Sequence, residues 1–591
     1  MKQKVSLVIL ALFLFQIGYA QLVISSKSEE QILKTTPLET IYINTNRNNF
    51  FPGEYLYFSL FCINMKTYKL SEISKVAYVK LIAENGEEIS TQKIRLKNGL
   101  GQGDIFVETS IPSGSYKLVA FTHWMKNAPA SQAFNVDIAI INPYKNNQEA
   151  LISSSKDSLN NSSANSLPKN DNSSVLKLKL NKVTYANREA VELSVINDQK
   201  VFGHGNYSLS VTHIDKLPSP NFTSAENFVK VYPDLMRQIP QTVGDTISFP
   251  EQRGELISGK ITYGETDLPV AKTEVAISLP GEYFQLKAAT TYPDGKFFAY
   301  ANAPYNGETA VIEMVEPDSS NYTINSYDPS SWSSKLSGFF EFEIDSTMKE
   351  SIRNRSIYNQ IENSYYEVKP DTVLQWQGVN PYNIDPFYGE PPTVYNLDEY
   401  TRFNTLQETL VEFIEHVWVK KFNNGDYTFW VRTPLDDVRK GEYTTDPPLV
   451  TIDGILMPNH NNLLSFNARR LKSIKVLRHP LVLDNKNYQG MVALETIDGN
   501  YIDEWRSAAG KKISYRPSTM EKQYYSQGSS LDAHIPDYRY QLHWLPHFRL
   551  KSPEKQILFY TSDVKGTYRI RLEGFTDYGK PVSSVQYFEV E

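Results

Sequence analysis

The chain has 591 residues, a length that predicts about four domains. Hydrophobic residues make up 40% of it and charged residues 21%, which is enough apolar side chain to build folded cores. The formal net charge of -7 argues against a protein that binds nucleic-acid phosphates. The single cysteine, Cys62, excludes disulfide frameworks and zinc sites built from several cysteines.

The N-terminus has the pattern of an export signal. Lys2 and Lys4 precede an apolar stretch over 5–17, and small residues lead to a cleavage site after Ala20. We therefore expect a signal peptide at 1–20. No later stretch is apolar enough to predict a transmembrane segment in the mature chain. The sequence thus predicts an exported protein, located in the periplasm, at the outer membrane or on the cell surface.

The first folded part, residues 38–143, is predicted to be a β-sandwich. Its segments 39–42 (Glu-Thr-Ile-Tyr) and 51–54 (Phe-Pro-Gly-Glu) resemble the opening of a macroglobulin domain of the MG2 type. Segment 98–101 (Asn-Gly-Leu-Gly) and the strand that starts at Pro112 are similar to its later strands. The turn at 51–54 needs a glycine that can adopt positive φ.

A Ser/Asn-rich stretch at 145–174 predicts a linker, because it lacks the apolar residues to build a core. The next segment, 175–250, opens with a strictly alternating strand. Its residues 185–193 repeat the order of aromatic, turn, Glu and strand seen at 50–58. This weak repeat predicts a second macroglobulin-like or immunoglobulin-like β domain.

Residues 254–343 also have the pattern of a β domain. The order Ser-Gly-Lys-Ile (258–261), Leu-Pro-Val (268–270) and Asp-Gly-Lys-Phe (294–297) resembles carboxypeptidase-regulatory-like, or transthyretin-like, domains. That resemblance implies a non-catalytic β-sandwich.

Residues 346–425 are predicted to form a helical and aromatic connection. Thr405 and Glu408 have the spacing of a capping box, which predicts the start of a helix over 405–419. One face of that helix would carry Leu406, Leu410, Phe413 and Val417.

A small α/β domain is predicted over 426–515. The order of a strand at 448–454, a short helix at 463–471 and strands at 471–477 and 491–496 resembles the plug domain of TonB-dependent outer-membrane receptors. Only about 95 residues follow, too few for a receptor barrel. The resemblance therefore implies a plug fold without its pore.

The end of the chain, 536–591, predicts a closing β-sandwich. The expected fold class is thus mainly β: tandem immunoglobulin-like or macroglobulin-like sandwiches with a small α/β plug-like domain.

Known catalytic motifs are absent from the sequence. Macroglobulin protease traps use a Cys-x-Glu-Gln thioester, whereas Cys62 is followed by Ile-Asn-Met at 63–65, so we expect a buried structural thiol. His543 and His547 are four residues apart, but Pro546 would break a shared helix. We therefore predict no catalytic residue, no metal site and no cofactor.

Two sets of residues are candidates for binding or modification. An aromatic-rich stretch could stack on a glycan or a partner peptide, or pack the connection onto a core; its candidate residues are Tyr382, Phe387, Tyr388 and Tyr395. Four Asp-Ser/Thr motifs resemble the O-glycosylation motif of Bacteroidota, with acceptors Ser158, Thr246, Ser346 and Thr372.

These observations favour a non-enzymatic exported scaffold. Its plug-like and β-sandwich modules would dock onto an outer-membrane protein complex, such as a transporter, a secretion machinery or the barrel-assembly machinery. One alternative is a cell-surface accessory that binds glycans or proteins. Another is an enzyme acting on glycans or peptides with a site built from scattered residues.

Overall fold

The computed structural model describes residues 36–128, 133–145, 170–231, 248–264, 266–281, 283–302, 305, 307–316, 321–332, 336–341, 343–374, 391–422, 425–434, 446–484, 486–528, 532 and 534–591. The expected signal peptide with its cleavage site at Ala20 lies outside these residues. Strands make up 46% and helices 12% of the structure, which confirms the mainly β fold class. Within the described ranges, no helix has the length and apolar character to span a membrane.

The strands of the first half of the chain are β1 (Glu39–Thr45), β2 (Asn49–Phe50), β3 (Tyr55–Asn64), β4 (Val76–Ala83), β5 (Glu88–Arg95), β6 (Leu100–Phe106), β7 (Gly114–Phe121), β8 (Asn135–Ile140), β9 (Leu176–Leu180), β10 (Thr184–Tyr185), β11 (Ala190–Asn197), β12 (Gly205–His213), β13 (Glu255–Tyr263), β14 (Glu274–Leu279), β15 (Gln285–Thr290), β16 (Lys296–Ala301), β17 (Thr309–Met314) and β18 (Tyr322–Tyr327).

The strands of the second half are β19 (Thr372–Val373), β20 (Thr393–Asn396), β21 (Val417–Lys421), β22 (Tyr427–Val431), β23 (Leu449–Ile452), β24 (Ile455–Leu456), β25 (Leu471–Leu477), β26 (Leu481–Leu483), β27 (Lys486–Tyr488), β28 (Met491–Thr496), β29 (Gly510–Ser514), β30 (Ser518–Thr519), β31 (Lys522–Gln523), β32 (Gln541–Leu550), β33 (Glu554–Tyr560), β34 (Gly566–Thr576) and β35 (Pro581–Val590). The α-helices are α1 (Ala225–Lys230), α2 (Lys349–Ser364), α3 (Leu406–Glu412) and α4 (Tyr501–Glu504).

The chain folds into two compact units, each assembled from separate stretches of sequence. The first unit consists of Thr36–Gln252, Pro329–Gln377 and Ser518–Glu591. The second unit contains Arg253–Asp328 and Gly378–Pro517.

The first unit begins with a β-sandwich. The sheet β1-β3-β6 packs on the sheet β2-β8-β7-β4-β5-β30 around one apolar core. The predicted turn before β3 is present: Gly53 has φ of +90°, and a Cβ there would collide with the side-chain amide of Asn363. Glycine is therefore required at this position.

A second sandwich of the first unit joins strands that are far apart in sequence. Its sheets are β10-β35-β34-β12-β32 and β33-β11-β9. The sequence placed these strands in two separate domains, 175–250 and 536–591, whereas the structure has them in the same two sheets. Strand β12 is buried along most of its length, so both of its edges need partners, and the C-terminal strands β32 and β34 supply them.

Helix α2 is fixed to the first unit by the buried guanidinium of Arg355. Its five N–H donors bond Glu54 at 2.9 and 2.7 Å, Asp215 at 2.6 Å, and the side chain and backbone oxygens of Asn49 at 3.2 and 3.0 Å. The guanidinium also lies over the rings of Phe51, at 4.6 Å, and of Tyr540, at 5.3 Å. Burial disfavours the charge, but Glu54 and Asp215 outweigh it and raise the pKa of Arg355.

In the second unit, the sheets β16-β13-β18 and β15-β14-β17-β29 enclose an apolar core. The domain predicted over 254–343 therefore includes one strand from further along the chain, β29, which the sequence assigned to the plug-like domain. Strand β29 pairs with β17 and so covers an edge that would otherwise be unpaired.

The rest of the second unit is built on the mixed sheet β20-β25-β28-β23-β24. The capping box of Thr405 and Glu408 is present, and it starts α3 as predicted. The predicted helix over 405–419 is too long, however. Phe413 leaves the helical region of backbone conformation, and Val417 starts β21, which pairs with β22. The β-branched and aromatic residues of this stretch favour that strand.

Substitution of Arg355 by Met should destabilise the first unit by about 3–5 kcal/mol, because Glu54 and Asp215 would then be buried charges without this partner. The matched control is Arg353→Met, an exposed position of the same helix. Urea denaturation of both variants measures the difference in free energy of unfolding. Equal stability of the two variants would contradict the structural role of Arg355.

Helix α3 offers a second matched pair of substitutions, one buried and one exposed: Leu410 is 1% exposed and Val411 is 71% exposed. Leu410→Ala should cost about 2–5 kcal/mol, because it leaves a cavity in the core. Val411→Ala should change stability by about 0.5 kcal/mol or less. Thermal or urea unfolding of the second unit, followed by tryptophan fluorescence, measures the loss of stability in both variants. Similar losses for the two variants would show that Leu410 does not pack in the core.

Candidate binding cleft

A cleft of about 160 Å³ opens on the first unit, between β3, helix α2 and the segments around β31 and β32. Its most numerous side chains are aromatic, and we call it the tyrosine cleft. It is lined by Asn46, Arg47, Gly53, Glu54, Tyr55, Tyr57, Asn359, Glu362, Asn363, Tyr366, Lys369, Asp371, Tyr524, Tyr525, Tyr538, Arg539, Tyr540, Gln541 and Trp544.

Four of the rings form a ladder of nearly parallel planes. Tyr366 stacks on Tyr55 with centroids 6.5 Å apart, Tyr55 on Tyr57 at 5.9 Å, and Tyr57 on Trp544 at 6.4 Å. Tyr524 packs against Tyr57 at 4.5 Å with its ring tilted by 54°. The ladder runs from exposed Tyr366 to buried Trp544, so it offers aromatic surface over the depth of the cleft.

Secondary structure fixes the positions of these rings. Tyr55 and Tyr57 are two residues apart on β3, so their side chains emerge on the same face of the sheet. The two-residue pairing of β19 with β31 places Asp371 beside Tyr525, whose backbone N–H donates to the carboxylate at 2.8 Å. Trp544 is in the long strand β32.

Ion pairs form the base of the cleft. Lys369 donates to both carboxylate oxygens of Glu362, at 2.9 and 2.8 Å, and to the carbonyl of Pro536 at 3.0 Å. Arg539 binds Asp537 through two donors, at 2.6 and 2.7 Å. Because these cations are buried and paired, their charge is largely neutralised before any ligand arrives.

Several buried polar atoms in the cleft lack a partner among the described residues. They are the hydroxyl of Tyr524, the indole nitrogen of Trp544 and the side-chain oxygen of Gln541. Burial, together with the nearby carboxylates of Asp371 and Asp104, raises the pKa of both Tyr57 and Tyr524, so these phenols stay neutral and keep their donor hydrogens.

The aromatic residues chosen from the sequence lie elsewhere. Tyr382, Phe387 and Tyr388 are outside the described residues. Tyr395 is 7% exposed and packs in the core of the mixed sheet, where its hydroxyl accepts from the backbone N–H of Glu415 at 3.2 Å. This position favours the packing alternative over partner binding for Tyr395.

Of the four candidate glycosylation sites, two lie among the described residues and two lie outside them. Ser346 and Thr372 are exposed, Ser346 in a short 3-10 helix and Thr372 in β19. Ser158 and Thr246 lie outside the described residues. Glycosylation of all four stays a prediction.

The remaining sequence candidates are buried single residues. Cys62 is a buried free thiol whose pKa is raised by burial and by Glu39. His543 is 7% exposed, contacts Ser526 at 2.9 Å and has its pKa lowered to about 4 by burial and by Arg539. His547 bonds the carbonyl of Gly101 at 2.7 Å. Throughout the described ranges, no group of three His, Cys, Asp or Glu residues could hold a metal ion.

The solved structures that this chain is similar to include bacterial macroglobulins, at low identity and low TM-score. The chain is similar to Salmonella alpha-2-macroglobulin, at 9% identity over 93% of this chain and 39% of that one, with a TM-score of 0.23. The chain is also similar to native Escherichia coli alpha-2-macroglobulin, at 10% identity over 94% of this chain and 40% of that one, with a TM-score of 0.23. The chain thus spans about two fifths of the length of these macroglobulins.

A further structural match is the Escherichia coli adhesin FdeC, at 10% identity over 46% of this chain and 58% of that one, with a TM-score of 0.14. No family model and no curated protein matches the sequence. The plug-like assignment for 426–515 and the regulatory-like assignment for 254–343 therefore stay predictions.

The sequence did contain a partial signal for the tyrosine cleft. The alternation of Tyr55 and Tyr57 indicates that both rings share one face of a strand. Tyr366, Tyr524 and Trp544 come from segments more than 300 residues away along the chain, and no local pattern connects them with β3.

His543 should make the stability of the first unit depend on pH. Its folded pKa of about 4 lies below the usual value near 6.5, so the unfolded state binds the proton more tightly. Its neutral form therefore stabilises the fold fully above about pH 6.5, and this contribution is lost as the pH falls toward 4.

His543→Gln should remove this dependence, so the stability difference between wild type and variant should change by about 3 kcal/mol between pH 7 and 4. Urea denaturation across this pH range measures it. The exposed residue His534, changed to Gln, is the control. A pH-independent difference for His543→Gln would show that the imidazole titrates normally.

Proposed function

We propose that this protein is a non-enzymatic exported scaffold that holds a partner through the tyrosine cleft of its first unit. The observation that carries the proposal is the ladder of Tyr366, Tyr55, Tyr57 and Trp544 above a base of paired charges. Aromatic side chains with polar tips are enriched in protein interfaces, because they bury large area at low cost in conformational entropy.

Two of the three carboxylates that line the cleft, Glu54 and Glu362, are committed to structural bonds. Glu54 binds Arg355 with both oxygens, and Glu362 binds Lys369 and the backbone N–H of Tyr538. A general acid or base must be free to exchange its proton with a substrate. These bonds support a binding role.

We propose an outer-membrane protein complex as the partner, such as a transporter, a secretion machinery or the barrel-assembly machinery. The export pattern at 1–20 and the resemblance of 426–515 to receptor plugs support this choice. The second candidate is a surface accessory that binds glycans; the mixture of aromatic rings and amide side chains in the cleft, including Asn359 and Asn363, favours it.

Site-specific photocrosslinking in the native envelope tests the proposal. A photoreactive residue at position 366 replaces a tyrosine that is 44% exposed at the rim of the cleft. The matched control is position 578, a tyrosine of the same unit that is 55% exposed and not part of the cleft. Because only position 366 would face a ligand, we expect it alone to give an adduct with subunits of one outer-membrane complex.

Two outcomes would overturn the proposal. In one, neither position gives an adduct and the protein fractionates alone. In the other, adducts form equally at 366 and 578, which indicates chance encounters. An adduct between position 366 and a polysaccharide would favour the glycan-binding accessory over the scaffold.

A further inference from the structure

We propose that the tyrosine cleft recognises an alkylammonium group, held between the carboxylate of Asp371 and the faces of Tyr55, Tyr57 and Tyr524. The inference rests on the proposed binding function and names the chemistry of the group that enters the cleft. A lysine side chain of a partner polypeptide and a small free ammonium compound share this chemistry.

The first argument is the balance of charge. Each cation in or beneath the cleft has a carboxylate partner among the described residues: Arg47 and Arg355 with Glu54, Arg355 also with Asp215, Lys369 with Glu362, Arg539 with Asp537, and Lys522 with Asp104. Asp371 is the additional carboxylate, and no ion pair joins it to a described residue. The cleft thus has one negative charge more than its own cations match.

The second argument is that the cations of the cleft are already committed. Lys369 uses all three of its N–H donors on Glu362 and Pro536, and it is 7% exposed. Lys522 donates to Asp104 at 2.9 Å. Lys369 has no donor left for Asp371, and Lys522, whose charge also acts on Asp371, is already paired with Asp104. A cation from a ligand would therefore complete the neutralisation of Asp371.

The third argument is the aromatic surface around this carboxylate. Asp371 lines the cleft together with Tyr55, Tyr57 and Tyr524, and after the larger effect of burial its charge helps to raise the pKa of each phenol. Cations bind over the faces of tyrosine and tryptophan rings, and cages of such rings recognise quaternary ammonium groups and methylated lysine. A carboxylate beside tyrosine rings would attract an ammonium group both as an ion pair and through cation–π interactions.

The hydrogen-bonding capacity of Asp371 is compatible with an ammonium ligand. Asp371 accepts one bond, from the N–H of Tyr525 to Oδ1, and its Oδ2 has no partner among the described residues. Asp371 therefore offers a free acceptor, which suits a ligand that donates, such as an ammonium group.

Burial raises the pKa of Asp371, and Asp104 adds to the rise, while the N–H of Tyr525 and the charge of Lys522 oppose it. A bound cation favours the ionised carboxylate, so cation binding should tighten as the pH rises through the pKa of Asp371. This direction is opposite to that expected for an anionic ligand.

Isothermal titration calorimetry of the folded chain tests the inference with choline and with its neutral isostere 3,3-dimethylbutanol. We expect choline to bind and the isostere to bind at least about tenfold more weakly, because only choline carries the charge. Asp371→Asn should weaken choline binding by about tenfold. Tyr366→Leu should also weaken it, because Tyr366 stacks on Tyr55 and so holds one ring of the site in place. Asp198→Asn, at an exposed site of the same unit, is the control.

Two further arms identify the source of the ammonium group. A short peptide with a central lysine that binds more tightly than choline indicates a polypeptide ligand; tighter binding of choline indicates a small molecule. Tyr366→Leu changes an exposed residue, so it keeps the test valid if Asp371→Asn does not fold.

The inference is overturned if choline and its isostere bind equally, or if neither ammonium probe binds at concentrations up to about 10 mM. It is also overturned if Asp371→Asn, folded, binds choline as the wild type does. An adduct at position 366 in the envelope with no ammonium binding would leave the scaffold proposal standing and remove this inference alone.

Discussion

The buried guanidinium of Arg355 is the interaction on which the arrangement of the first unit depends. It joins helix α2 to the turn before β3 through Glu54, and to the segment after β12 through Asp215. Both carboxylates are themselves shielded from water, so each charge in this cluster is tolerable only while the others are in place. The rim of the tyrosine cleft, which includes Asn359, Asn363 and Tyr366, is positioned by this helix and by the turn that follows it.

This cluster explains why the cleft has a defined shape. Its aromatic rings come from four separate stretches of sequence, and rings alone give little directional preference. Hydrogen bonds to charged groups are strong and directional, and those made by Arg355, Lys369 and Arg539 fix the elements that carry the rings. The ion pairs under the cleft therefore set the geometry, while the rings provide the contact surface.

The sequence predicted local features well and long-range assembly poorly. The turn at Gly53, the capping box at Thr405 and the burial of Cys62 were all evident because each depends on neighbouring residues. The strand partners were not evident from the sequence, because β12 pairs with β32 and β34, which lie more than 300 positions away. The same limit applies to the cleft: Asp371 has no neighbour in sequence that would indicate its tyrosine surroundings.

The pairing of β12 with C-terminal strands has a consequence for biogenesis. A chain is synthesised from its N-terminus, so β9 to β12 are complete long before β32 to β35. Until then, both edges of β12 lack their partner strands, and contacts this distant in sequence form slowly. Completion of this sandwich must wait for β32 to β35, and the early strands need protection from aggregation in the interval.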